Sequence, residues 1–161
     1  MANFVITNST VGGTGTSQNL STTYKTINSV VGAQTQARRG KIYDFLMGTN
    51  GAPADNEIDW DVARATALTT TGGTTITPNA LDPADTFVSA TATANSTTEP
   101  TVTSNSDVWV LSINQRASYR WVAAPGSELV WPATSCSGFV FRSRSLAYTG
   151  TVTLTAFFQE Q

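Results

Sequence analysis

Apolar and polar residues alternate along most of this chain with a period of two. Segments rich in Gly, Pro and Asn interrupt the alternation roughly every 8 to 12 residues, the pattern of short antiparallel strands joined by turns. The clearest case is EIDWDV at 57–62, where Ile58, Trp60 and Val62 point one way and Glu57, Asp59 and Asp61 the other. At 151–158, Val152, Leu154, Ala156 and Phe158 oppose three threonines. Residues 138–145 place Phe139 and Phe141 opposite Val140, Arg142 and Arg144, and 87–94 align Val88, Ala90, Ala92 and Ala94. Residues 3–8, 24–31, 72–77 and 128–131 give shorter strands. At 41–47 the reading sets Ile42 and Leu46, with Asp44, against Tyr43 and Phe45. The alternation fails at Arg64, as a bulge would make it.

Two further segments complete the set. Residues 108–113 (VWVLSI) are almost continuously apolar, which predicts a strand buried on both faces. Residues 117–123 (ASYRWVA) are expected to pair back on it as a hairpin, with Tyr119 and Trp121 opposite Arg120. The connection 78–85 has room for one helical turn, limited by Pro83. Nine or ten strands and no amphipathic helix predict an all-β fold, an antiparallel β-sandwich of jelly-roll type. An immunoglobulin-like sandwich is the runner-up, without its Cys–Trp–Cys signature. The predicted organisation is an N-terminal strand and Gly/Thr-rich arm over 1–23, flexible or extended, followed by a single sandwich over 24–161. Three of the four tryptophans fall in 107–161, which reads as the scaffold; Trp109, Leu111, Ile113, Phe139, Phe141, Val152 and Leu154 are expected in its core.

Composition narrows the function. Only 12% of the 161 residues are charged, about half the level of a typical soluble domain, with Thr, Ser, Ala and Gly in their place. Such a surface suits a protein held in an assembly or working outside a cell. Net charge is −2, so no basic field attracts nucleic acid. Histidine is absent, which removes the commonest general base and metal ligand. The single cysteine, Cys136, has no basic neighbour and reads as inert. No apolar run approaches the ~20 residues of a membrane span. MANFVITNST lacks the basic, then long apolar, layout of an export signal, which predicts synthesis in a cytoplasm.

The candidate chemistry is sparse. Asp55, Asn56, Glu57, Asp59 and Asp61 form the densest acidic cluster, but lack the spacing of a calcium loop and read as a solvated strand face. GGTGT at 12–16 lacks the end of a phosphate loop. Arg116, Arg120, Arg142 and Arg144 fall on neighbouring strands, and Arg38 and Arg39 precede another. A basic face with interleaved aromatics suits single-stranded nucleic acid, yet bidentate pairing to carboxylates, within the chain or across an interface, is the better reading in an acidic domain with two lysines. Trp60, Trp109, Trp121 and Trp131 would line a sugar site or, the favoured reading, fill the core or anchor an interface.

Four stretches carry a resemblance: RRGKIYDFLMGTNGAPADN leading into EIDWDVAR, TPNALDPAD, YRWVAAPGSELVWPATSCSGFVFRSRS, and TVTLTAFFQE. Together they cover most of residues 38–160. In layout and composition the chain resembles the jelly-roll capsid decoration (cement) proteins of tailed bacteriophages. The resemblance implies a structural virion protein on the capsid surface, made in the host cytoplasm, that binds between major capsid proteins. It implies a homotrimer, no enzymatic activity, no cofactor or metal, and no nucleic-acid or membrane partner. Arg38, Arg39, Arg116, Arg120, Arg142, Arg144 and Trp131 are the interface candidates, with the arm draped over a neighbour. The alternatives are a carbohydrate- or receptor-binding sandwich of a phage fibre or tail, and a jelly-roll coat subunit. An arm without Lys or Arg speaks against the coat subunit.

Overall fold

A computed structural model describes residues 1–9, 18–50, 52, 54–67, 72–85 and 88–161, with the side chain of Ala67 left aside. Its elements are strands: β1 (Ala2–Thr7), β2 (Gln18–Asn19), β3 (Lys25–Val31), β4 (Gly40–Asn50), β5 (Glu57–Ala67), β6 (Thr74–Ile76), β7 (Asn79–Ala80), β8 (Thr91–Ala94), β9 (Thr101–Asn114), β10 (Tyr119–Val122), β11 (Leu129–Trp131), β12 (Gly138–Arg144) and β13 (Thr151–Glu160). The pairings are all antiparallel.

Two sheets pack face to face. One runs β10-β4-β13-β1-β7, with β11 also on β4 and β2 on β13; the other runs β6-β8-β3-β12-β5-β9. Stripped of short additions, the first is β1-β13-β4-β10/β11 and the second β3-β12-β5-β9. The chain thus crosses from sheet to sheet at nearly every connection, the wrapped double Greek key of a jelly roll. The immunoglobulin-like alternative is set aside by this strand order.

Alternation builds the core. Ile58, Trp60 and Val62 of β5, Phe139 and Phe141 of β12, and Val152, Leu154, Ala156 and Phe158 of β13 are all buried. Each large side chain removed from water contributes about 1.5–3 kcal/mol. Phe45 of β4 sits where the sheets meet. Its ring centroid lies 4.9 Å from Trp121 and 5.1 Å from Trp109, and 5.4 Å from Phe141.

Three features depart from the sequence reading. In β4, Phe157 pairs with Asp44 and Phe158 with Ile42, so Tyr43 is an extra residue. This bulge switches the face: Ile42, Phe45 and Met47 point inward, and Leu46 is left 38% exposed. Second, β9 is not doubly buried. It is the last strand of its sheet, Val110 is 61% exposed, and Trp109, Leu111 and Ile113 are only half-buried. Third, β10 does not pair back on β9; residues 115–118 carry the chain across to β4, where Tyr119 faces Met47 and Val122 faces Asp44.

The N-terminal strand expected at 3–8 is present as β1. Ala2–Thr7 is an interior strand between β13 and β7. The Asn8 side chain locks onto β13, accepting from Leu154 N at 2.7 Å and donating to Val152 O at 2.9 Å. Gln18 and Asn19 pair with β13 again, and Leu20 is buried. Both ends of the segment are therefore held by this chain's own sheet. Residues 10–17, with GGTGT, lie outside the described residues, as does Phe87. The irregularity expected near Arg64 is present as register shifts against β9 from Val62 to Ala67.

Candidate interaction surface

Period two on β5 and β12 sends Asp59, Asp61, Arg142 and Arg144 to the outer face of the same sheet, in direct register: Arg142 opposite Asp61 and Arg144 opposite Asp59. Arg142 Nε donates to Asp61 Oδ2 at 2.7 Å, its Nη2 donates to the same oxygen, and Nη2 also reaches Asp107 Oδ1 at 3.0 Å. Arg144 Nε donates to Asp59 Oδ2 at 2.9 Å. Both guanidinium groups stack on Tyr24, with Cζ 4.9 Å and 4.8 Å from its ring centroid. Asp61 is buried, and loss of hydration pushes its carboxyl up to about 6 despite the opposing pull of Arg142. The hydrogen bond to Asp59 raises Arg144 further above its ordinary value.

The other charged candidates are also paired. Arg120 on β10 grips Asp44 on β4 through Nε and Nη2, with Nε 3.0 Å from Oδ1. This raises Arg120, first through the hydrogen bond and then through the charge. Arg116 reaches Asp55 at 2.9 Å, and Lys41 reaches Glu128 at 3.1 Å. The carboxylates of the acidic cluster are thus largely taken up by arginines. Among the described residues no three His, Cys, Asp or Glu side chains come together to hold a metal ion.

Arg38 and Arg39 differ. Both are exposed and have no carboxylate partner among the described residues. Their backbone is nevertheless fixed: Trp131 Nε1 donates to Arg38 O at 3.2 Å, and Gln161 N donates to Arg39 O at 2.9 Å. Arg39 borders two open depressions with Val130, and Arg38 borders a third with Val88 and Ser89. Two unneutralised cations therefore stand at one end of the sandwich on a rigid base. Trp131 itself is fully buried, packed against Phe158 at 5.6 Å, so its side chain offers no surface. Trp60 is core as well, while Trp109 and Trp121 are half-buried around Phe45.

The outer face of the β4-β13-β1 sheet was not singled out by the sequence reading. Register places Val5, Phe157, Asp44 and Val122 in one row across β1, β13, β4 and β10. Tyr43 leans on Phe157 with centroids 6.4 Å apart. The next row is Thr7, Thr155, Leu46 and Arg120. Apart from the Arg120–Asp44 pair these two rows carry threonine and apolar side chains, with Val122 59% exposed. The signal in sequence is the TVTLTAFF alternation, whose outward half is Thr151, Thr153, Thr155 and Phe157. Cys136 lies at a loop with φ +58°, half-buried beside Gly32.

No protein family, curated protein or solved structure matches this chain.

Proposed function

We propose that the chain is a structural virion protein, a decoration protein that binds the outside of a phage head between major capsid proteins and staples the shell. The observation that carries this reading is how the surface is divided. Most charges are neutralised within the chain, and two rows across a four-strand sheet face carry, apart from the Arg120–Asp44 pair, only Thr and apolar side chains. A low-charge face loses little hydration free energy when covered by another protein. Arg38 and Arg39 supply the orienting contacts, to carboxylates of the shell, where planar guanidinium groups fix geometry. Repetition of one modest contact around a shell adds up by multivalency.

The test is sedimentation of the purified chain with shells assembled from a candidate major capsid protein of the same genome. The reading expects saturable co-sedimentation at a fixed ratio. A chain that stays in the supernatant, or that binds a glycan array and ignores shells, overturns it.

A further inference from the structure

Strand β9 ends its sheet with an open edge, and the two halves of that edge are unlike. Over Thr101–Asp107 the pairing with β5 is broken by register shifts, and Asn105 adopts φ +56°. Irregularities of this kind blunt an edge against pairing. Over Trp109–Asn114 the register with β5 is unbroken, from Val62↔Trp109 to Glu57↔Asn114. This half has no Pro, Lys or other charge: its sequence is WVLSIN.

The direction of its free groups follows from the ladder. Gln115 N donates to Asn56 O, directly opposite, at 2.8 Å. Hydrogen-bonded pairs alternate in an antiparallel ladder, so Ile113, Leu111 and Trp109 bond to β5. The N–H and C=O groups of Val110 and Ser112 then point out of the sheet, and among the described residues no strand meets them. The aromatic group beside this edge is also incompletely covered. Trp109 and Tyr119 stand 5.7 Å apart, with Trp121 on Phe45, and all three of Trp109, Tyr119 and Trp121 are half-buried.

We propose that this half-strand pairs with its counterpart in a second copy of the chain, antiparallel and two-fold, centred on Leu111. The strand is self-complementary in that register. Val110 of each copy lies opposite Ser112 of the other, and the two pairs exchange four backbone hydrogen bonds. Leu111 meets Leu111, and Trp109 meets Ile113, all on the inner side. No like charges are opposed. The Asp107 end of one copy approaches the Arg116 end of the other, which is complementary in sign; both side chains are about half exposed. The apposition also brings the two Trp109–Tyr119–Trp121 groups toward each other and covers Val110. This contact is distinct from shell binding, belongs to the free protein, and stands against the homotrimer that the resemblance implies.

Sedimentation velocity of the purified full chain tests it, together with hydrogen exchange at the Val110 and Ser112 amides. The parent is expected at twice its 17.0 kDa mass, with both amides protected. Val110→Lys is expected to raise the dissociation concentration at least tenfold and to release both amides, leaving far-ultraviolet circular dichroism unchanged. Ser112→Lys carries the same test if Val110→Lys does not fold. A monomeric or trimeric parent, or a dimer indifferent to the lysine, overturns the proposal.

Discussion

The indole of Trp131 lies on Gly40, its cross-strand partner, so closely that a Cβ on Gly40 would overlap the ring. The ring covers the core end of Phe158, and its Nε1 holds the Arg38 carbonyl. Gly40→Ala therefore overpacks a site that is closed by a fully buried indole. It is expected to destabilise by about 1–3 kcal/mol, and Trp131→Ala by about 3–5 kcal/mol through the cavity it leaves. Thermal unfolding checks both. A Gly40→Ala protein that melts with the parent would show the indole free to move.

The arginine pairs differ in how deeply they sit, and their removal should differ accordingly. Arg142→Ala leaves Asp61 buried without its main partner. The expected loss is about 3–5 kcal/mol. Arg116→Ala removes an exposed pair and should cost under about 1 kcal/mol. Urea unfolding of the two variants should separate them clearly; equal losses would contradict the burial of the Arg142 network.

Asp61 also sets a pH dependence. Its carboxyl stands at about 6 in the folded chain against an ordinary 3.8, with Arg142, Asp107 and Tyr24 as its charged or titratable surroundings. Between these values the folded chain keeps a proton that the unfolded chain has released. The contribution to stability is full below about 3.8 and is lost as pH rises through about 6, amounting to at most about 3 kcal/mol. Asp61→Asn cannot titrate and should flatten this part of the stability profile. Unfolding measured from pH 4 to 7 decides it, and parallel profiles would contradict the shift.

Much of this architecture is legible in the sequence, and the failures have specific causes. Period two on β5, β12 and β13 places Trp60, Phe141 and Leu154 in the core, because alternation alone decides the face of a regular strand. At β4 one inserted residue, Tyr43, reverses the face, and no residue type announces it. WVLSIN looks doubly buried because apolar content reports tendency, whereas edge position is decided by which strands arrive beside it. β10 crosses to the other sheet for the same reason. At the candidate surface, the pairing of Arg142 and Arg144 follows from their types and spacing. That Arg38 and Arg39 have no carboxylate partner among the described residues is visible only once the strands have paired Arg116, Arg120, Arg142 and Arg144.

Those two arginines should affect docking and leave folding unchanged. Arg38→Glu with Arg39→Glu changes side chains that have no carboxylate partner among the described residues, so stability should stay within about 0.5 kcal/mol. Affinity for shells should fall at least tenfold, with the residual binding more dependent on salt. Equal binding by this variant would move the docking contact away from this end of the sandwich.

The central claim is that this protein staples a capsid shell, and the most direct test is the heat stability of that shell. Shells assembled from a candidate major capsid protein of the same genome would be heated with and without a saturating amount of this chain, and their disruption followed by light scattering. The account predicts a higher disruption temperature that rises with occupancy and levels off at saturation. An unchanged disruption temperature at saturating protein would contradict it.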